Sequence, residues 1–363
     1  MDQTEALIIE TIDRHREEIL EFARDIYSHA ELGYKEFQTS GKFVKKMEQL
    51  GLRTEKGFAI TGVKAYLNED KKESASLALL GELDALRIPE HAFANPETNA
   101  AHCCGHHAQM AGVFGAALAL TVPEIAEKLD GQVVFFATPA EEYGEIEFKN
   151  QLREQGKIRY GGGKCELLRI GAFDDIDLCL THHIRPGNEI LVGSGTGNGF
   201  VSKVIRVLGK ASHAAGAPEK GVNALSAASL GLQALGLNRE TVRDEDCVRV
   251  HPIITKGGNL VNVIPDEVVV ETLVRGKTIE AFTDAAKKTD RSFKAGAIAM
   301  GAKVEISTLP GYLPTLAEEA LPELKHAAEI SASGIPVIEA SGHAGGSTDV
   351  GDVQHLMPVY TFN

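Results

Sequence analysis

A chain of 363 residues is longer than one ordinary hydrophobic core organises, so two domains are expected. Its 43% hydrophobic and 24% charged residues belong to a folded globular protein and argue against a disordered one. The net charge of −14 argues against nucleic acid as a partner, since phosphate binding needs a basic face, and no apolar run approaches the roughly 18 residues of a membrane span.

The first residues, MDQTEALIIETIDRHREEIL, read as an acidic amphipathic helix with Asp2 as cap, Glu5 three positions on, and a buried stripe of Leu7, Ile8, Ile12, Ile19, Phe22 and Ile26. Lacking a basic leader and a small-residue cleavage site, this start is not expected to be a signal peptide. Five cysteines without a regular framework fit a reducing compartment, and the expectation is a cytoplasmic protein.

From about 60 to 190, short apolar runs alternate with helical stretches. SLALLGELDAL, GQVVFFATPAEE and DIDLCLTHHIRPG read as strands apolar on both faces, hence parallel and covered on two sides. AQMAGVFGAALALTV between the first two reads as a small-residue helix packed on the sheet. The segment is an α/β layered domain. In such sheets, sites form beyond the carboxyl ends of the strands. Asp84, the pair Glu141 and Glu142, and the pair His182 and His183 all fall at such ends, and the loop HCCGHH leads into the helix.

From 195 to 308 the character changes. SKVIRVLG, GVNALSAASLGLQALG, CVRVHPIITKGG, VNVIPDEVVVETLVRGKT, IEAFTDAAKKTDRSFKAGAIAMGA and KVEISTL give the order βαββαβ of a ferredoxin-like unit. The expected organisation is a catalytic α/β domain over 1–194 and 309–363, interrupted by this insertion. VIEASGHAGGSTDVGDV and MPVYTFN return to the first domain.

Cys104 and His106 stand two apart across Gly105, whose turn lets both reach one ion. A thiolate, imidazoles and carboxylates from separate strand ends are the donor set of a borderline divalent cation; thiolate and imidazole suit Zn²⁺, and carboxylates also admit Mn²⁺. With Glu142 and His183 at other strand ends, metal binding is the expectation. Cys103 faces away from Cys104 and is not expected to ligate. Of Glu141 and Glu142, which diverge on extended backbone, one can hold metal while the other serves a metal-activated water as general base. One histidine of THHIRPG can be a ligand and the other packing. Asp84 could bridge two cations, orient a ligand or cap a helix, and His102 and His107 are expected as outer partners or polar lining. His213 in KASHAAGAP sits in a small-residue loop.

The string HCCGHHAQMAGVFGAA resembles the H-x-C-G-H-D-x-H segment of the metal-dependent amidohydrolase branch of the aminoacylase/carboxypeptidase exopeptidase family, which includes indole-acetyl-amino-acid hydrolases, hippurate hydrolases and aminobenzoyl-glutamate utilisation proteins. IYSHAELGYKEF, GELDAL, TPAEEYG, HHIRPG, GKASHAAGAP, GGNLVNVIPDEV and GGSTDVGDV follow the family's order along most of the chain, and the last of these, with GELDAL, leans toward the aminobenzoyl-glutamate type. The resemblance implies a layered zinc-exopeptidase-like domain holding one or two Zn²⁺ or Mn²⁺ ions on Cys104, His106, Glu142 and His183, with Glu141 as base. It implies hydrolysis of an N-acyl amino acid or related small amide, and an inserted domain that is both lid and homodimer interface. His213 and Asn262 of that domain would then stabilise the scissile carbonyl or bind the substrate carboxylate, in the partner subunit's site.

Two positions depart from the pattern: the aspartate after the motif's histidine is His107, and its last histidine is Gln109. The family's further ligand histidine lies beyond the strand PVYTFN, and within this sequence His343 is the candidate substitute. The alternative expectation is a non-catalytic or truncated homologue that binds metal or ligand as a dimer. A cysteine hydrolase using Cys104 is disfavoured, because metal-ligand types surround the thiol and no oxyanion-type loop follows it.

Overall fold

The computed structural model describes residues 1–332 and 334–363, and the chain divides into two compact units. One comprises residues 1–196, 316–343 and 348–363; the other comprises 197–315 and 344–347.

The first unit begins with a complete capping box. The Asp2 carboxylate accepts the N–H groups of Thr4 and Glu5 at 2.7 and 2.8 Å, and Glu5 accepts the Asp2 N–H at 2.5 Å. The single helix expected from the sequence is two, Gln3–Arg14 and Arg16–Ser28, broken at His15. The break turns the apolar stripe, so that Phe22 and Ile26 are buried while Ile12 is exposed.

An eight-stranded mixed sheet follows, in the order Arg53–Phe58, Gly62–Leu67, Gln132–Thr138, Ser76–Glu82, Leu178–His182, Val359–Phe362, Ile190–Val192, Val337–Glu339. The middle four strands are parallel. Gln132–Thr138 is buried at every position, because alternate side chains enter two different cores. Phe135 packs with Phe43, Met47 and Phe114 on one face, and Phe136 packs with Tyr34, Leu167 and Phe173 on the other. The terminal strand Val359–Phe362 returns to this sheet beside Leu178–His182. Register aligns Glu82 with Thr138 and Leu80 with Thr181, so three strands end nearly level and their following residues share one edge.

The second unit holds a fully antiparallel sheet. Gly199–Leu208 pairs with Glu267–Gly276 and with Lys303–Pro310, and the far side of Glu267–Gly276 takes the short strands Arg249–Val250 and Ile253–Lys256. Helices Ala224–Leu237 and Ile279–Met300 bury Ala227, Ala228 and Phe293 against Ile205, Val268 and Val270. Two strands are shorter than the sequence suggests. CVRVHPIITKGG is split at Pro252, and the strand expected from Val261 begins only at Glu267, after Pro265; proline has no N–H to give a sheet ladder. No helix among the described residues is long and apolar enough to cross a membrane.

Candidate metal centre

Backbone geometry delivers the donors. Gly105 has φ +88° and caps the helix His106–Leu120; a Cβ there would lie 2.2 Å from the Ile184 side chain, so glycine alone permits both the turn and the approach of the segment carrying His183. Ala140 also has positive φ, 49°, and is buried. That conformation costs a non-glycine residue energy and must be held from outside. Glu36 holds it: one carboxylate oxygen accepts the Ala140 N–H at 2.8 Å and the other accepts the Thr61 hydroxyl at 2.6 Å. Glu141 and Glu142 emerge from this turn.

Cys104, His106 and His183 offer donor atoms that all lie within 4.8 Å of one another, and so do Glu82, His106 and Glu141. Cys104 Sγ is 3.2 Å from His183 Nε2, and His106 and Glu142 both lie close enough to act on the thiol electrostatically. Glu142 thus joins the cluster through the thiol. Both histidines are anchored alike. His106 Nδ1 meets the Asp84 carbonyl at 2.8 Å and His183 Nδ1 meets the Ile184 carbonyl at 2.7 Å. A carbonyl only accepts, so each Nδ1 carries a proton, which leaves Nε2 as the atom that would turn to an ion.

The donor set fits a divalent cation. His106 Nε2 stands 3.0 Å from Glu82 Oε2, yet no hydrogen bond forms at that buried nitrogen. Although burial opposes it, Glu82 and Asp84 raise His106 well above the ordinary imidazole range, so a proton on Nε2 balances Glu82 without metal. The same 3.0 Å separation also suits two ligand atoms about 2.0–2.2 Å from a shared ion that would replace that proton. Charge gives the same answer. Glu36, Glu82, Asp84, Glu141, Glu142 and Asp349 interact electrostatically around the site, where Lys149 and Lys164 are the buried ammonium groups. Six carboxylates against two ammoniums leave a formal excess of four negative charges before His106 is counted.

This excess shows in the titration of the groups. Burial, then the charges of Glu82, Asp349 and Glu142, hold Glu141 well above the usual carboxylate range, although Lys164 opposes them. Burial and the Asp84 charge raise Glu142. The neighbouring His106 pulls the Cys104 thiol down, but burial and the Glu142 charge outweigh it and the thiol lies above its ordinary value. Added positive charge would favour the thiolate here.

The other sequence candidates fall as follows. Asp84 Oδ2 accepts the Glu142 N–H at 2.9 Å, and Oδ1 is 3.3 Å from His106 Nδ1, so Asp84 ties two donor segments together. His182 stacks on Phe362 at 5.2 Å and burial lowers it to about 4, a packing histidine. His107 lies against Tyr27 and His102 in an aromatic cluster. Gln109, at the motif's departed position, accepts the Glu82 N–H at 2.8 Å and donates to the His182 carbonyl at 2.6 Å, cross-tying two strand ends. His343 belongs to neither donor group among the described residues; its Nδ1 is 3.0 Å from Thr196 Oγ1.

In the second unit, His213 and Asn262 are both exposed, on paired segments joined by the Ala214 N–H to the Asn262 carbonyl at 2.9 Å. His213 Nδ1 accepts the N–H groups of Ala215 and Gly216, so its proton resides on Nε2 as a free donor.

Sequence reasoning missed Glu82, Lys164 and Asp349. Glu82 stands two residues before Asp84 in GELDAL, a spacing that could have marked it, and Asp349 lies in GGSTDVGDV. Lys164 gave no signal: an isolated lysine after three glycines reads as surface.

The sequence pattern of peptidase family M20/M25/M40 matches residues 78–363. The chain belongs to that family. Membership makes it a hydrolase of amide bonds, and the donor set agrees with the divalent metal expected of it. The chain is 28% identical to mouse Xaa-Arg dipeptidase over 96% of its own length and 77% of that protein's; the match to the human protein of that name spans 55% of the latter. Among solved structures, the aminobenzoyl-glutamate utilization protein of Klebsiella pneumoniae superposes with TM-score 0.74 at 20% identity, covering 98% of this chain and 92% of that one. The Bacillus subtilis YXEP protein, a dinuclear metal-binding peptidase of the M20 family, does so with TM-score 0.63 at 23% identity, covering 96% and 88%.

Proposed function

We propose that this M20/M25/M40 protein hydrolyses the amide bond of N-acyl amino acids or related small amides and peptides, aminobenzoyl-glutamate-like compounds included. The observation that carries this reading is the convergence of two donor groups that share buried His106, the part-buried Cys104 and His183 on one side and the buried Glu82 and Glu141 on the other, with Glu142 beside the thiol in a surround of excess negative charge. Cys104, His106, Glu142 and His183 hold one or two Zn²⁺ or Mn²⁺ ions in this reading. When bound, the metal polarises the scissile carbonyl and acidifies a water. Glu141, whose burial and negative neighbours give it more basicity than a free carboxylate, takes the water's proton and returns it to the leaving amine. Asp84 keeps His106 and the Glu142 backbone in register.

The compact unit over 197–315 supports the reading of an inserted domain, and its strand order is that of a ferredoxin-like fold. Its role in the proposal is lid and homodimer interface. The free Nε2–H of His213 and the Asn262 amide supply donors to the developing oxyanion or the substrate carboxylate. The names of the relatives support substrates that release an amino acid with a free carboxylate, and the proposed compartment is the cytoplasm.

The test is amine release from a panel of N-acetyl amino acids, hippurate, aminobenzoyl-glutamate and dipeptides ending in arginine, before and after chelation. Hydrolysis that EDTA abolishes and Zn²⁺ or Mn²⁺ restores is the expected result. Absence of hydrolysis across the panel with metal bound would sink the reading in favour of a non-catalytic binding protein.

A further inference from the structure

Lys164 is fully buried among carboxylates, beside the site proposed to take a cation. Glu82 and Asp349 account for its charge, but an ammonium here would also oppose a bound cation, which points to a geometric reason beside the charge balance. The surrounding contacts supply one. Lys164 Nζ donates to Glu82 Oε1 at 2.5 Å and to Asp349 Oδ1 at 2.7 Å, and the Lys164 backbone N–H donates to Asp349 Oδ2 at 2.7 Å. Asp349 therefore grips the lysine at both ends of the residue. The backbone approach that makes this possible needs Gly163, where a Cβ would lie 1.6 Å from the Pro139 carbonyl oxygen.

The other oxygen of Glu82 is the atom 3.0 Å from His106 Nε2. A glutamate carboxylate on three rotatable bonds is not fixed in one orientation by the His106 imidazole alone. With Oε1 fixed by the ammonium, Oε2 has one place to go. The Glu82 N–H, held by Gln109 Oε1 at 2.8 Å, fixes the other end of that residue.

We propose that Lys164 is a positioning residue for the metal centre: by clamping one oxygen of Glu82, it aims the other at the point that His106 Nε2 also faces. Three segments far apart in sequence are joined in this clamp: the end of the Ser76–Glu82 strand, the start of the helix Gly163–Arg169, and Asp349 before the helix Val350–Gln354. The proposal rests on the metal-centre reading above and adds a residue that itself touches neither metal nor substrate.

Charge and positioning predict opposite results, which makes the idea testable. The full-length protein, stripped of metal, is titrated with Co²⁺ in competition with a chromogenic chelator, and the visible d–d spectrum is recorded. Lys164→Met removes a positive charge from a cation site; were charge its only role, Co²⁺ would bind more tightly. The clamp predicts binding about 10–100-fold weaker, the range seen when an outer partner of a metal ligand is lost, together with a changed d–d spectrum. Circular dichroism and thermal unfolding verify the fold. Asp349→Asn, nearly isosteric, carries the same test should Lys164→Met not fold, with weakening in the same direction. A folded variant with Co²⁺ affinity equal to or above that of the parent and an unaltered spectrum overturns the clamp while leaving the metal centre standing. A parent that binds no Co²⁺ overturns both.

Discussion

Cys104 Sγ and His183 Nε2 stand 3.2 Å apart, brought together from a loop ahead of one helix and from just beyond a parallel strand. Each is held by backbone: Cys104 by the left-handed turn at Gly105, His183 by its Nδ1–H on the Ile184 carbonyl. Cys104→Ala and His183→Ala each delete a donor without disturbing the sheet. Each should weaken Zn²⁺ or Mn²⁺ binding by about 100-fold or more, beyond the loss expected for an outer partner. Elemental analysis after dialysis checks this, and full metal retention in both variants would remove the two residues from the site.

Gly105 is under two demands at once. In Gly105→Ala the new Cβ meets the Ile184 side chain and the residue keeps φ +88°. The strained φ costs about 1–2 kcal/mol and the overpacking about 1–3 kcal/mol. Adding Ile184→Ala should recover the packing part and leave the φ part. Urea denaturation of the single and double variants distinguishes them; a Gly105→Ala protein as stable as the parent contradicts the account.

Glu141→Gln keeps the shape of the side chain and removes its capacity to carry a proton. Hydrolysis should fall by about 10²–10⁴-fold with metal content and melting temperature retained. Parallel loss of metal would instead make Glu141 a ligand, for which its grouping with Glu82 and His106 provides the geometry.

Glu318 supplies a pH dependence away from the metal site. Burial raises its carboxyl to about 7, although the Val359 N–H donates to it at 3.0 Å. A carboxyl with a folded-state pKa above its unfolded value of about 4.3 binds its proton more firmly when folded. Its contribution to stability is therefore full below about 4.3, declines as pH rises to about 7, and is flat above. Glu318→Gln removes this decline. Melting temperatures of parent and variant at about pH 5 and about pH 8 should diverge, with the parent losing more at the higher pH. Because the group is only half-buried, the change is a fraction of the full linkage. Equal changes in both proteins would refute the assignment.

Much of the site was legible along the chain because strands announce themselves by apolar runs and parallel sheets place their sites at carboxyl ends. That logic puts Asp84, Glu141 with Glu142, and His183 just past strand ends, where the structure has them, and the glycine between Cys104 and His106 marks the turn between those two residues. The break at His15 and the strand limits at Pro252 and Pro265 followed from local backbone chemistry that the apolar pattern overran. Which histidine of the pair faces the thiol was not readable: His182 and His183 alternate across the strand end, and only the stacking of His182 on Phe362 assigns it to packing.

The sequence by itself determined the chemical inventory, the order of strands and helices, and the edge at which thiol, imidazole and carboxylate gather, since these depend on residue type and on periods of two or 3.6 along the chain. The tertiary structure alone decided that Glu82 faces His106, that Asp349 returns near the chain's end to grip Lys164, and that the lysine is buried at all. Those relationships join residues 82, 106, 164 and 349, and a buried ion pair has no local signature. Its partners are chosen by which segments pack together, and a charge survives there only because the fold supplies its counter-charge.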